Sequence, residues 1–165
     1  MGKVRTQLDE IRGAQLEAIA AHHGFDSVAT YLDNHIAAEW RRLHPETFPE
    51  LPGFEINGSL NERGEPIVTF AFNGAVPVVL DAIHADYLAN GIDWVLDDQQ
   101  KSFFIVCMID DSILCFDKRG NGFRLMIKWS SGEWKRGLSR SIAEDLRNIF
   151  RKEAHKAVNL SKSIA

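Results

Sequence analysis

The first forty-odd residues change their apolar period, and that change limits the possible fold more than any other feature of the chain. Between residues 3 and 8 the side chains alternate, with Val4, Thr6 and Leu8 on one side and Lys3, Arg5 and Gln7 on the other. A two-residue period is typical of a half-buried strand. The pattern therefore predicts a short strand that presents its long polar side chains on one face.

A helical period replaces the alternation after Leu8. The first helix has its apolar positions at Leu8, Ile11, Leu16, Ile19 and Ala20, and ends at His22, His23 and Gly24. Glycine is the residue that most often stops a helix. A second helix begins after Asp26 or Ser27, either of which can serve as its N-cap. Its apolar side chains recur at helical spacing, at Val28, Tyr31, Leu32, His35, Ile36, Trp40 and Leu43.

A strand and two helices in about forty residues cannot bury a core of their own. A single strand also leaves its backbone N–H and C=O groups without partners. The simplest partner is the same strand of a second copy, related by a two-fold axis. A two-stranded ribbon of this kind fits the major groove of DNA, where Arg can bond guanine and Gln can bond adenine.

On these residues the segment 3–43 resembles the ribbon-helix-helix family of DNA-binding proteins. KVRTQLD matches the ribbon, EIRGAQLEAIAAHHG the first helix and FDSVATYLDNHIAAEW the second, which together cover about a quarter of the chain. The resemblance implies a homodimer in which Lys3, Arg5 and Gln7 read the bases of a short palindromic operator. It also implies that Ser27 and the amides after it hold a DNA phosphate. We therefore expect a transcriptional regulator, such as a repressor, whose partner is double-stranded DNA.

Other interpretations of this segment remain open, and one of them is a different helical arrangement that binds DNA. Arg5 and Gln7 also suit the solvated face of an edge strand, and the two helices also suit a hairpin that serves only dimerisation or packing. Residues 1–42 contain five basic and six acidic residues, a net charge of −1. Phosphate neutralisation supplies most non-specific DNA affinity, so this segment has little charge to spare for it.

Residues 44–53 (HPETFPELPG) contain three of the five prolines and predict a semi-rigid linker between segment 1–43 and a domain at 54–165. The second domain is predicted to be α+β, with about six antiparallel strands covered on one face by a long C-terminal helix. The strands are expected at 54–60, 66–72, 75–80, 102–109, 112–116 and 123–129.

Three details of this domain are specific enough to check. A short helix over 81–90 should be capped by Asp81 and stopped by Gly91. Residues 102–109 are apolar on both faces and predict a central strand covered on both sides. The C-terminal helix should begin at Ser141, whose spacing to Glu144 matches a capping box.

Composition narrows the functional class. No apolar run is long enough for a membrane span, and the N-terminus lacks a secretory signal, so we expect a cytoplasmic protein. Cys107 and Cys115 lie in apolar runs and are expected to be reduced and buried. The six histidines show no metal-ligand spacing, and no cofactor motif occurs. We expect neither a metal nor a cofactor.

One segment resembles part of an enzyme. Residues 91–109, which begin Gly-Ile-Asp, resemble the paired strands of the PD-(D/E)xK nuclease fold. That chemistry needs a second metal-binding acid and a lysine on the next strand, beside Asp93. Ile105, Val106 and Cys107 stand at those positions. The sequence therefore predicts a protein that is not an enzyme.

The distribution of charge suggests an alternative function. Residues 54–134 contain twelve acidic and six basic residues, a net charge of −6, whereas residues 135–165 carry +5. Arg140, Arg147 and Arg151 recur along one side of the predicted C-terminal helix and form a candidate second basic surface. An acidic sheet face and this basic helix together suit an inhibitor, immunity or adaptor module that binds another protein.

Overall fold

The computed structural model of the chain describes residues 9–43, 51, 53–72, 77–107 and 111–163. It divides into two compact units, Met1–Leu43 and His44–Ala165. The helices are α1 (Glu10–His22), α2 (Val28–Leu43), α3 (Ala82–Leu96) and α4 (Arg140–Lys162). The strands are β1 (Phe54–Leu60), β2 (Pro66–Phe72), β3 (Val78–Asp81), β4 (Ser102–Val106), β5 (Ile113–Arg119), β6 (Gly122–Trp129) and β7 (Gly132–Leu138).

The first unit is a helical hairpin, and both of its predicted helices are confirmed. Gly24 has a φ of 78° and ends α1, with Phe25 N–H donating to Ala20 O and Gly24 N–H donating to Ala21 O. This pair of bonds is the Schellman motif, which favours glycine at that position. Ser27 caps α2, since its Oγ accepts the Thr30 N–H at 3.1 Å. The predicted strand at 3–8 lies outside the described residues.

The second unit is α+β, as predicted, but its strands form two sheets and not one. The order β1-β2-β3 makes a three-stranded sheet, and β4-β5-β6-β7 makes a four-stranded one, all antiparallel. Helix α3 separates β3 from β4 along the chain, and the two strands do not pair. Strand β7 was absent from the prediction because its residues GEWKRGL carry little apolar signal.

Helix α3 is longer than the sequence pattern indicates. Asp81 caps it as predicted, accepting the His84 N–H at 2.7 Å, but the helix continues through Gly91 to Leu96. Gly91 is needed for packing: a Cβ there would lie 2.1 Å from the ring of Phe103. Gly91 therefore allows the Phe103 side chain of β4 to pack against α3, and it does not end the helix.

The predicted start of α4 is also wrong. Ser139 is the N-cap, with its Oγ accepting the Ile142 N–H, and Ser141 lies one position inside the helix, after Arg140. Ser141 is buried, so it contributes to packing and is not the first residue of a capping box. The spacing from Ser141 to Glu144 matches the capping-box motif by coincidence. Helix boundaries are commonly uncertain by one or two residues.

Strand β4 lies at the edge of the four-stranded sheet and not at its centre. Its exposure alternates, with Phe103 and Ile105 buried and Phe104 and Val106 exposed. An apolar run alone cannot show whether the outer face is covered. By contrast, the strand predicted at 123–129 is confirmed as β6, in which Phe123, Leu125 and Ile127 face the core.

Helices α3 and α4 pack along each other, and the sheets pack against them. Strands β1 and β2 contact α4, and β4 and β5 contact α3. One apolar cluster joins both helices to both sheets and includes Phe70, Phe116 and Phe150, all fully buried. Leu51, from the predicted linker, is buried in this cluster. Within the described ranges, no helix is long and apolar enough to cross a bilayer.

Gly58 marks the closest approach of sheet and helix. A Cβ at this position in β1 would lie 2.0 Å from the Glu153 carbonyl oxygen of α4. The Glu153 carboxylate accepts the Gly58 N–H at 2.9 Å and the Lys156 ammonium at 2.8 Å. Burial raises the pKa of Glu153, but these donors outweigh it and lower the pKa below its usual value. The carboxylate thus ties β1 to α4.

Gly58→Ala is expected to destabilise the protein, because β1 or α4 must move to admit the methyl group. The loss should be about 1–3 kcal/mol of unfolding free energy, as for other overpacked sites. Urea denaturation measures it. Gly137→Ala is the matched control, since nothing lies within 4 Å of a Cβ there. Equal stability of the two variants would contradict the close approach of β1 and α4.

Candidate functional site

The hairpin of α1 and α2 is held by a small aromatic cluster at its turn. Tyr31 is buried, its ring contacts His23 and Phe25, and its hydroxyl lies 3.1 Å from His35 Nε2. Ala20 is the other buried apolar residue among those described in this unit. Two buried side chains are a small core for a hairpin of this length. The cluster fixes the turn, but it leaves the rest of both helices open to solvent.

The apolar side of α2 is exposed beyond this cluster. Ile36 is 68% exposed and Leu43 is 57% exposed, and Leu32 and Trp40 are also accessible. His35, Ile36, Glu39, Trp40 and Leu43 line a shallow depression on this side. On α1, Ile11 and Ile19 are exposed as well. The apolar side chains along this side of α2 are therefore left without cover among the described residues of the first unit.

Of the predicted DNA-contacting residues, the structure describes one. Lys3, Arg5 and Gln7 lie outside the described residues. Ser27 is at the N-terminus of α2, where its Oγ accepts the Thr30 N–H and lies 2.9 Å from Thr30 Oγ1. The first-turn amides of a helix carry a partial positive charge that suits a phosphate. Ser27 is exposed, and so is Ala29 beside it.

The predicted second basic surface is engaged within the protein. Arg147 Nη1 donates to Asp93 Oδ1 at 2.5 Å, and Arg151 Nη2 donates to Asp93 Oδ2 at 2.9 Å. Arg151 also donates to Asn90 Oδ1 at 2.8 Å. These arginines extend from α4 to α3 and share one carboxylate. Its negative charge compensates one of their two positive charges. We call Asp93, Arg147 and Arg151 the α3–α4 ion cluster.

Arg140, at the N-terminal end of α4, also connects this helix to α3. It donates to the Leu96 carbonyl oxygen at 3.0 Å and to Glu144 Oε1 at 3.1 Å. The Leu96 carbonyl belongs to the last turn of α3, where a cation satisfies an open acceptor. Arg140 therefore binds the end of α3 as well as its own helix.

The pKa of Asp93 reflects its surroundings. Partial burial raises it, but the hydrogen bonds and charges of Arg147 and Arg151 outweigh burial and lower the pKa below its usual value. A lowered pKa in the folded state stabilises the protein above the unfolded pKa of the carboxyl group. That contribution is lost as the pH falls through the folded pKa.

The outer face of the four-stranded sheet is not acidic. Asp117 is almost fully buried between Arg119 and Arg124, both of which donate to its carboxylate. The strand register places six charged residues on this face: Asp117, Glu133, Arg119, Arg124, Lys128 and Lys135. Two carboxylates and four cations give a net charge of +2. The acidic residues of the second unit are dispersed elsewhere.

Asp93 lies in a helix, so its partial resemblance to a nuclease strand is misleading. Its carboxylate is bound by two arginines, which occupy the positions where a metal would sit. No group of three His, Cys, Asp or Glu in the described part of the chain is arranged to hold a metal ion. Cys107 is buried and Cys115 half-buried, both as free thiols, and burial raises the pKa of Cys115.

Asp93→Asn is expected to destabilise the second unit, because Arg147 and Arg151 lose their shared anion. The loss should be about 1–2 kcal/mol at neutral pH, between the values for exposed and buried pairs. The variant should also lose less stability on acidification than the wild type. Urea denaturation between neutral and acidic pH measures both effects.

Asp98→Asn is the control for this experiment. Asp98 pairs with Lys118 at 2.5 Å, but its side chain is well exposed, so solvent screens the pair. This variant should change stability by less than about 1 kcal/mol. If Asp93→Asn were as mild as the control, the ion cluster would not be holding the two helices together.

No protein-family model, no curated protein and no solved structure matches this chain.

Proposed function

We propose that the protein is a DNA-binding transcriptional regulator that acts as a homodimer through its first unit. The observation that carries the proposal is the exposed apolar side of α2 in a hairpin that buries only Ala20 and Tyr31 among its described apolar residues. A second copy covers such a surface by symmetry, because an isologous interface pairs each patch with itself.

The order of elements supports the same function. The alternating segment 3–8 comes immediately before α1, and α2 begins at an exposed, serine-capped N-terminus. In a two-fold dimer the segments of the two copies pair and present Lys3, Arg5 and Gln7 to the major groove. Ser27 and the first amides of α2 then contact the DNA backbone. This arrangement is the one that the ribbon-helix-helix resemblance implies.

The distribution of charge predicts how tightly such a regulator binds non-specific DNA. Residues 1–42 have a net charge of −1, and the arginines of α4 already bind carboxylates of α3. Neither the first unit nor the arginine stripe of α4 therefore offers much positive charge to attract DNA regardless of sequence. The regulator should therefore bind non-specific DNA weakly and depend on base contacts by Arg5 and Gln7 for its affinity.

The alternative, a protein-binding inhibitor, immunity or adaptor module, has less support. It needs an acidic sheet face and a free basic helix. The outer face of the four-stranded sheet carries a net +2, and Arg147 and Arg151 are bound to Asp93. The acidic charge that supports this alternative is limited to Glu55 and Asp81 on the outer face of the three-stranded sheet.

Ile36→Lys is expected to weaken dimerisation of the full chain, because it places a charge at the centre of the exposed apolar side of α2. The dissociation constant should rise at least about tenfold, which corresponds to about 1.4 kcal/mol. Sedimentation equilibrium over a range of protein concentrations measures it.

Ala38→Lys is the matched control for this substitution. Ala38 is an exposed residue of the same helix that does not line the apolar depression around Ile36, so the added charge is the same but the predicted contact is not. The control should retain the wild-type mass. A mass for Ile36→Lys that equals the control at every concentration would count against a dimer built on α2.

Arg5→Ala is expected to weaken binding to the preferred DNA site by about 1–3 kcal/mol, since one base-reading side chain is removed from each copy. Arg12→Ala is the control: it removes the same charge from the exposed surface of α1, where the Arg12 guanidinium donates to Gln15 Oε1, and it keeps the backbone N–H that donates to Asp9. Fluorescence anisotropy at fixed salt compares the two. Equal losses would show a general charge effect without base reading.

A further inference from the structure

Strand β4 has an open edge. Among the described strands it pairs only with β5, in an unbroken register from Ser102 opposite Asp117 to Val106 opposite Ile113. Lys118 N–H donates to Lys101 O, and Cys107 N–H donates to Ser112 O. Since bonding alternates along an antiparallel strand, the residues between these two ends that bond β5 are Phe103 and Ile105. Ser102, Phe104 and Val106 direct their N–H and C=O groups to the open edge.

Two of these three residues, Phe104 and Val106, have exposed apolar side chains, which is unusual for an open edge. Phe104 is 67% exposed and Val106 is 44% exposed, and the strand contains neither a charge nor a proline. Natural proteins protect open edges with charged residues, prolines or bulges. The opposite edge of this sheet has that protection, because β7 carries exposed Glu133 and Lys135. Strand β4 has no such device.

The apolar surface extends inward from the edge. Phe104 lies opposite Cys115, which in turn lies opposite Met126, and Val106 lies opposite Ile113. Cys115, Met126 and Ile113 are half-buried and share the outer face with Phe104 and Val106. A strand added at the edge would therefore gain apolar contacts as well as backbone hydrogen bonds.

We propose that β4 pairs with β4 of a second copy, antiparallel, about a two-fold axis at Phe104. Phe104 then lies opposite Phe104 of the partner subunit, and Ser102 lies opposite Val106 of the partner subunit. Every outward N–H and C=O group of the strand gains a partner, and the two sheets become one. This inference concerns the second unit and does not depend on DNA binding by the first.

The strand is complementary to itself in charge as well as in hydrogen bonding. Exposed Lys101 precedes β4, and exposed Asp111 lies in the hairpin that follows it. The nearest other acid at the start of the strand, Asp98, is paired with Lys118. An antiparallel two-fold arrangement brings the Lys101 end of each copy towards the Asp111 end of the other. This complementarity selects a second copy over an unrelated peptide as the occupant.

Disulfide trapping of the full chain tests the register. Opposed residues of a hydrogen-bonded antiparallel pair have Cα atoms about 5.5 Å apart, which a disulfide can span. Phe104→Cys, made together with Cys115→Ser to remove the neighbouring thiol, should form a covalent dimer under mild oxidation. Lys128→Cys in the same background is the control, because it is equally exposed but lies two strands from the edge. Equal rates of cross-linking for the two variants would overturn the proposal.

Phe104→Lys tests the energetics and separates this interface from that of the first unit. In an Ile36→Lys background, the remaining association should depend on Phe104, and Phe104→Lys should weaken it at least about tenfold. The thermal midpoint should stay unchanged because the side chain is largely exposed, which shows that the variant is folded. An Ile36→Lys chain that is monomeric at every concentration, or one whose association survives Phe104→Lys, would overturn the proposal.

Discussion

The second unit is organised around the contact between α3 and α4. The two helices pack along their length, the sheets pack against them, and Asp93 joins them through Arg147 and Arg151. The shared carboxylate stays ionised because its pKa is lowered by the arginines that it binds. Pairing of this kind stabilises modestly but fixes which faces of the helices meet, since a mispaired arginine at a partly buried site is costly. The same contact leaves Arg147 and Arg151 only partly exposed and pairs them with a carboxylate of their own chain.

The first unit has no equivalent contact that covers its apolar side chains among the described residues. Its turn is well specified, by the Gly24 motif, the Ser27 cap and the ring contacts of Tyr31. Its helices nevertheless expose Ile36 and Leu43, which a stable isolated hairpin would bury. The two units thus differ: the second encloses a large apolar core, although Phe104 and Val106 remain exposed, whereas the first buries only Ala20 and Tyr31 among its described apolar residues. The dimer contact that we propose for the first unit is based on that difference, and the open edge of β4 is the basis of the separate contact that we propose for the second unit.

Local signals in the sequence were sufficient for some helix caps and turns, but not for the helix ends at Gly91 and Ser141 or for the arrangement of the sheets. Asp81 and Gly24 acted as the residue types predict, because capping depends on a few adjacent atoms. Gly91 and Ser141 misled, because their roles depend on Phe103 and on core packing from distant parts of the chain. The apolar run of β4 gave no indication that its outer face is open. The basic stripe of α4 was visible, but its partner Asp93 lies beyond Gly91, where the helix was predicted to stop, and so could not be placed beside it.

Selection of DNA sites from a random pool by the full chain tests the central claim most directly. A homodimeric regulator reading bases through Arg5 and Gln7 should enrich a short sequence with two-fold symmetry, and the enrichment should persist at physiological salt. Failure to enrich any sequence, even at low salt where phosphate contacts are strongest, would contradict a regulator that reads DNA.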